Sequence, residues 1–211
     1  MQAELFLVRH GESISNVEGR FSATPPGPGL TERGRMQAQA ACRRILQDVR
    51  RPHRIVSSPM RRALETAQPL CLETGLGPEL CTALTETAFG AWDGRLAAEL
   101  RGLSQYDGWC TDPERFPPPG GESLSQVGFR VGNCLRRIAE ECPGQTLVAF
   151  THMHPLVSFL QHAAGQPYGR VSWLPNAAVV RARWNGQEFE FVGLDLQAAH
   201  AGSEEGYAYG G

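Results

Sequence analysis

A histidine at position 10 closes the apolar run Leu5-Phe6-Leu7-Val8, with Arg9 before it and Gly11 after it. A neutral imidazole can attack phosphorus and form a phosphohistidine, which divides one difficult displacement into two easier ones. Such a reaction also needs cations shaped to the equatorial phosphoryl oxygens and an acid for the leaving oxygen. All 20 basic residues of the chain are arginine. Phosphate would therefore be gripped by guanidinium forks, and Schiff-base chemistry and a P-loop lysine are excluded.

The elements that must position such groups follow from periodicity. Residues 3–8 read as a buried strand. From Thr31, a suitable N-cap, Ala38, Ala41, Ile45 and Val49 recur at helical spacing. Arg54 to Ser57 reads as a second strand, after which Ser58 and Pro59 suit the N-cap and first position of a helix with Arg62 in its first turn. Ser123 and Gln126 form a capping-box pattern ahead of Leu124, Val127, Val131, Leu135 and Ile138. Thr146 to Phe150 is a strand, and Pro155 is expected to start the next helix. Val179 to Trp184 and Phe189 to Leu194, joined through Asn185-Gly186, form a hairpin pattern. This alternation predicts a layered α/β fold, in which ligands bind beyond the carboxyl ends of the strands. His10, Arg62 and His152 all fall there. The loop-rich segment 84–121 reads as an insertion able to roof the site. Residues 1–196 form one predicted catalytic domain, and 197–211, lacking periodicity, a mobile tail.

A chain of 211 residues with 41% hydrophobic content can bury one substantial core. Its net charge of -2 provides no basic field for nucleic acid or an anionic membrane. Arginine doublets such as Arg43-Arg44 and Arg136-Arg137 read as solvated helix faces. Six cysteines without a CxxC pair are expected to be reduced core residues. No leader pattern or membrane-length apolar run is visible, so a cytoplasmic protein acting on a small molecule is expected.

The run Leu7-Val8-Arg9-His10-Gly11-Glu12-Ser13, followed by Asn16, resembles the signature of the histidine phosphatase superfamily, which includes the cofactor-dependent phosphoglycerate mutases. The resemblance continues through Leu30-Thr31, Gly34 and Gln37-Ala38. It extends through Ser57-Ser58-Pro59-Met60-Arg61-Arg62-Ala63 and Glu65-Thr66-Ala67, then Leu84-Thr85-Glu86 with Phe89-Gly90, Trp92 and Asp93-Gly94. Pro119-Gly120-Gly121-Glu122-Ser123 and Leu147-Val148-Ala149-Phe150-Thr151-His152 complete it.

This resemblance implies a three-layer α/β/α sandwich with a mixed, mostly parallel sheet and a small helical cap. It implies metal-free, cofactor-free phosphatase chemistry: His10 as nucleophile, Arg9, Asn16, Arg62 and His152 on the phosphoryl oxygens, and Glu86 as proton donor. Arg61 is expected to be solvated. Burial near Phe89 or Trp92 and a bound dianion would raise the Glu86 pKa. The His152 ring is expected to act protonated. Ser22 is implied to lie near the substrate. Met153 stands where the commoner pattern has glycine, leaving its backbone N–H as a phosphate donor. Asn176 can reach the site or serve an ordinary turn. Three rival readings remain: a phosphoglycerate mutase, a phospho-ligand binding module, and a metallohydrolase whose ligands would be His152 and His154 on one strand face.

Overall fold

The computed structural model describes residues 2–166 and 173–202. The chain runs β1 (Ala3–Arg9), α1 (Ile14–Glu18), α2 (Glu32–Asp48), β2 (Arg54–Ser57), α3 (Arg61–Thr74) and β3 (Glu79–Leu80). Single 3-10 turns at Thr82–Leu84 and Gly90–Trp92 precede α4 (Ala97–Leu100) and α5 (Ser104–Thr111). Then come α6 (Leu124–Glu140), β4 (Thr146–Thr151), α7 (Met153–His162), β5 (Val179–Trp184), β6 (Phe189–Asp195) and a last 3-10 turn, Gln197–His200.

The six strands form one sheet in the order β3-β2-β4-β1-β5-β6. β1 to β4 are mutually parallel, and β5 and β6 are the antiparallel pair predicted from Asn185-Gly186. Period-two alternation sends Leu5 and Leu7 to one face, where α6 and α7 supply Val131, Leu135, Leu156 and Phe159. It sends Phe6 and Val8 to the other, against Ala41 and Ile45 of α2 and Ala63 and Ala67 of α3. Helices therefore cover both faces, as an all-apolar parallel strand requires. The cap has its own small core of Phe89, Trp92, Leu100 and Trp109.

Caps at Thr31 and Ser123, the latter with its full capping box to Gln126, form as expected. Three boundaries differ. α3 begins at Arg61, not Pro59, because the Ser58 N–H still bonds the Phe150 carbonyl, continuing the β2–β4 ladder. α7 begins at Met153, with Pro155 in the first turn, where a missing N–H costs nothing. The expected tail is packed at its start: Ala198 and Ala199 are buried against α2, and Gln37 Nε2 donates to the Ala199 carbonyl at 2.9 Å. Two small apolar residues are too short a signal for periodicity to catch. Residues 203–211 of that expectation lie outside the described residues. All six cysteines are free thiols, though Cys110 is exposed. Among the described residues no helix is long and apolar enough to cross a membrane.

Candidate active site

The carboxyl ends of β1, β2 and β4 converge, and a cavity of about 220 Å³ opens above them. Arg9, His10, Asn16, Ser22, Arg62, Glu86, Met153 and His154 line it. A larger groove of about 800 Å³ lies between α2 and α3, but none of the candidate residues reaches it. Chemistry, rather than size, singles out the smaller cavity as the candidate site.

His10 is buried at the end of β1. Its Nδ1 lies 2.7 Å from the Gly11 carbonyl, which can only accept, so the ring proton sits on Nδ1. Nε2 is then the lone pair, and Arg62 Nε donates to it at 3.0 Å. Burial, followed by the charges of Arg62 and Arg9, pushes the His10 pKa well below the ordinary histidine value, against the upward pull of Gly11. A neutral imidazole with Nε2 as its basic atom is what in-line attack requires. Gly11 is needed for a steric reason: a Cβ there would meet the Gly34 carbonyl oxygen at 2.4 Å, so β1 and α2 could not approach this closely.

Arg62, in the first turn of α3, is buried, and all three of its donor positions converge on the site. Nε faces His10, Nη2 donates to the Ser22 carbonyl at 2.8 Å, and Nη1 to Ser22 Oγ at 3.4 Å. Ser22 is thus beside the site through its contact with Arg62. It is held there because the neighbouring chain pairs with the cap: Phe21 N–H donates to the Arg95 carbonyl at 3.0 Å and Gly94 N–H to the Phe21 carbonyl at 2.9 Å. Arg61, by contrast, turns outward into a surface ion pair with Glu65. Arg9 donates from Nη1 to the Leu174 carbonyl and stacks over Trp173.

His152, the N-cap of α7, is wholly buried, with its ring centroid 5.1 Å from that of His10. Its Nε2 lies 2.8 Å from Ser58 Oγ, which also accepts the Met60 N–H at 3.3 Å. In the tautomer where Ser58 donates its hydroxyl proton to Nε2, the imidazole proton sits on Nδ1. Nδ1 has no partner among the described residues and can serve a phosphoryl oxygen. Burial, then Arg62, His10, Arg9 and Arg130, drives the His152 pKa well below the usual histidine value. That direction runs against the protonated ring that the resemblance implies.

Glu86 is buried under the cap. Burial acts most strongly and raises its pKa, but His154 by charge and hydrogen bond, Arg62, and the Thr87 N–H together outweigh it. The net shift is downward; the rise expected beside a bound dianion is a separate, substrate-dependent effect. The loop carrying Glu86 is clamped from α6. Arg130 forms a two-pronged ion pair with Glu122, with Nε at 2.7 Å from Oε1 and Nη2 at 2.9 Å from Oε2. It also donates to the carbonyls of Ala83 at 2.7 Å, Thr85 at 3.0 Å and Glu86 at 3.0 Å.

Asn16 Oδ1 caps its own short helix by accepting the Ser13 N–H at 3.1 Å, and Asn176 Nδ2 donates to it and to the His10 carbonyl, both at 3.1 Å. Asn176 thus reaches the site. Arg130, Ser58 and the His154–Glu86 contact were not read from the sequence as parts of it, although the Gly-Gly-Glu-Ser segment preceding α6 marked the place where Glu122 sits. His152 and His154 do not share a strand face, since β4 ends at Thr151 and the two lie in a cap and a helix. Among the described residues no cluster of three or more histidines, cysteines or carboxylates is placed to hold a metal ion.

A profile of the histidine phosphatase superfamily (branch 1) matches residues 5–197. The adenosylcobalamin/alpha-ribazole phosphatase of Escherichia coli is 30% identical over 165 residues, covering 77% of this chain and 80% of that protein. Phosphoserine phosphatase 1 of Hydrogenobacter thermophilus is 32% identical over 157 residues, covering 72% of each. The structure of a mycobacterial glucosyl-3-phosphoglycerate phosphatase in complex with VO3 is similar at a TM-score of 0.78 and 27% identity, covering 91% of this chain and 96% of that one. With the sheet order, the two opposed histidines and this match along nearly the whole length, the chain belongs to branch 1 of the histidine phosphatase superfamily.

Proposed function

We propose that this protein is a metal-independent phosphatase that hydrolyses a small phosphomonoester through a phosphohistidine on His10. The observation carrying this reading is the His10 Nε2 lone pair, fixed by the Nδ1 contact to Gly11 and faced by the Arg62 guanidinium. On substrate binding, Arg62 turns its fork from His10 and Ser22 to the phosphoryl oxygens, joined by Arg9, Asn16, His152 through Nδ1–H, and the Met153 N–H at the start of α7. Nε2 attacks phosphorus, and Glu86, its pKa raised by the arriving dianion, protonates the departing alkoxide. Water then releases phosphate. The named relatives act on small phosphorylated compounds, which supports the substrate class and leaves the individual ester open.

A mutase reading would need a pocket that excludes water and holds a phosphoglycerate carboxylate. Lysine, which the mutase pattern uses for that carboxylate, is absent from the whole chain, which favours hydrolysis. A cytoplasmic location belongs to the same reading, in keeping with six free thiols. The test combines three measurements on the wild type and His10→Ala: phosphate release from a panel of monoesters with and without chelator, label retained on His10 after alkaline quench, and isomerisation of 3-phosphoglycerate with bisphosphoglycerate. Release that survives chelator and vanishes in His10→Ala is expected. Isomerisation outrunning phosphate release from every ester tested would overturn the phosphatase reading.

A further inference from the structure

His154 lies in the first turn of α7, and its ring is held by the cap, with centroids 5.6 Å from Phe89 and 5.4 Å from Trp109. Its Nδ1 is 3.3 Å from Glu86 Oε1, the oxygen that also accepts the Thr87 N–H at 2.9 Å. Both donors load Oε1, so among these contacts Oε2 is the oxygen left to meet a ligand. His154 and Glu86 both line the cavity that contains His10.

We propose that His154 is a positioning residue for Glu86, gripping Oε1 so that Oε2 serves the water that hydrolyses the phosphoenzyme. This rests on the phosphohistidine reading above. In the first half-reaction the bond from His10 Nε2 to phosphorus forms, the ester P–O bond breaks, and the Glu86 carboxylic acid gives its proton to the alkoxide. Glu86 is left as a carboxylate beside His154. In the second, that carboxylate removes a proton from water as the water oxygen bonds phosphorus, and the P–Nε2 electron pair returns to His10. Phosphate departs and Glu86 is again an acid, with nothing supplied from outside. His154 exchanges no proton in either step.

The sign of its effect follows from charge. The charge and the hydrogen bond of His154 both favour the carboxylate form of Glu86, which extends dephosphorylation to lower pH. Other charged or titratable groups near the pair are Arg62 from α3 and His10 from the end of β1, which line the same cavity, and the Arg130–Glu122 ion pair behind the Glu86 loop. These are unchanged when His154 alone is replaced, so a displaced profile reports His154.

The experiment follows the decay of phosphoenzyme formed from radiolabelled p-nitrophenyl phosphate, sampled across pH by alkaline quench, in wild type, His154→Asn and His154→Ala. Asparagine keeps an N–H near the position of Nδ1 without the charge. The acid limb is expected to move to higher pH by about one unit or more in both variants. The plateau should stay within about threefold in His154→Asn and fall by about tenfold in His154→Ala, since only the latter loses the hydrogen bond. A plateau that falls with the limb unmoved, or a His154→Asn profile superimposable on the wild type, would overturn the inference while leaving His10 as nucleophile. A wild type that never acquires label, or His10→Ala that does, would overturn the phosphohistidine reading and this inference with it.

Discussion

Replacing Arg130 with methionine, which keeps only the unbranched stem of the side chain and deletes the guanidinium, is expected to loosen the Glu86 loop while leaving His10, the proposed nucleophile, in place. The guanidinium makes two bonds to Glu122 and three to the carbonyls of Ala83, Thr85 and Glu86. Glu122 in turn accepts the Ala88 N–H at 2.9 Å, so one ion pair holds both sides of the loop. Breaking a fully buried pair by removing one partner costs about 3–5 kcal/mol. Here the side chains retain 22% and 25% exposure, and water can reach part of what is vacated, so about 2–4 kcal/mol is expected. For a chain of this size that corresponds to a fall in Tm of roughly 4–16 °C. Displacing Glu86, the proposed acid, by about 1 Å is expected to cost roughly a hundredfold in turnover. The loss should appear with alkyl phosphates, whose leaving oxygen needs the proton, and much less with p-nitrophenyl phosphate. Differential scanning calorimetry and kcat/KM for both ester types, measured on Arg130→Met, Glu122→Gln and the double variant, test this. The double variant should recover about 1–3 kcal/mol relative to the sum of the single losses. Single variants within about 0.5 kcal/mol of the wild type, with equal kinetic effects on both esters, would refute the clamp.

Other consequences follow from the same geometry. Arg62→Lys should lose at least about tenfold in kcat/KM because an ammonium cannot reproduce a planar fork, whereas Arg61→Lys, on the surface, should remain within about twofold; equal losses would mean that the wrong arginine has been assigned to phosphate. His10 and His152 are held neutral in the fold, with pKa values depressed below those of the unfolded chain, so the unfolded state binds more protons once the pH falls below about 6.5. Stability is therefore lost on acidification, by about 1.4 kcal/mol per pH unit for each ring until its folded pKa is reached. Urea unfolding across pH should show this slope reduced in His152→Asn, and an unchanged slope would contradict the neutral buried ring. For the same reason kcat/KM should show no loss at the ordinary histidine pKa of about 6.5, since His10 is neutral on both sides of it; a loss there would place the His10 pKa in the ordinary range.

What the sequence determined by itself was local or strongly patterned. Apolar runs specified β1, β2 and β4, and the candidates placed just beyond those strands, His10, Arg62 and His152, do converge at one end of the sheet. Thr31, Ser123 with Gln126, and Asn185-Gly186 announced their caps and hairpin because those signals act over a few residues. What escaped depended on partners far apart in the chain. Arg130 looked like an ordinary polar position on an amphipathic helix until α6 packed it against the loop at 83–86. Ser58 looked like a helix cap until β4 brought His152 to its hydroxyl, and the two alanines at 198 and 199 carried no pattern until α2 covered them. The ionisation of Glu86 is likewise decided by tertiary partners: its aromatic neighbours signal burial, but His154 and Arg62 turn the shift downward. Electrostatic energies inside a protein depend on distance and desolvation, which only tertiary packing supplies.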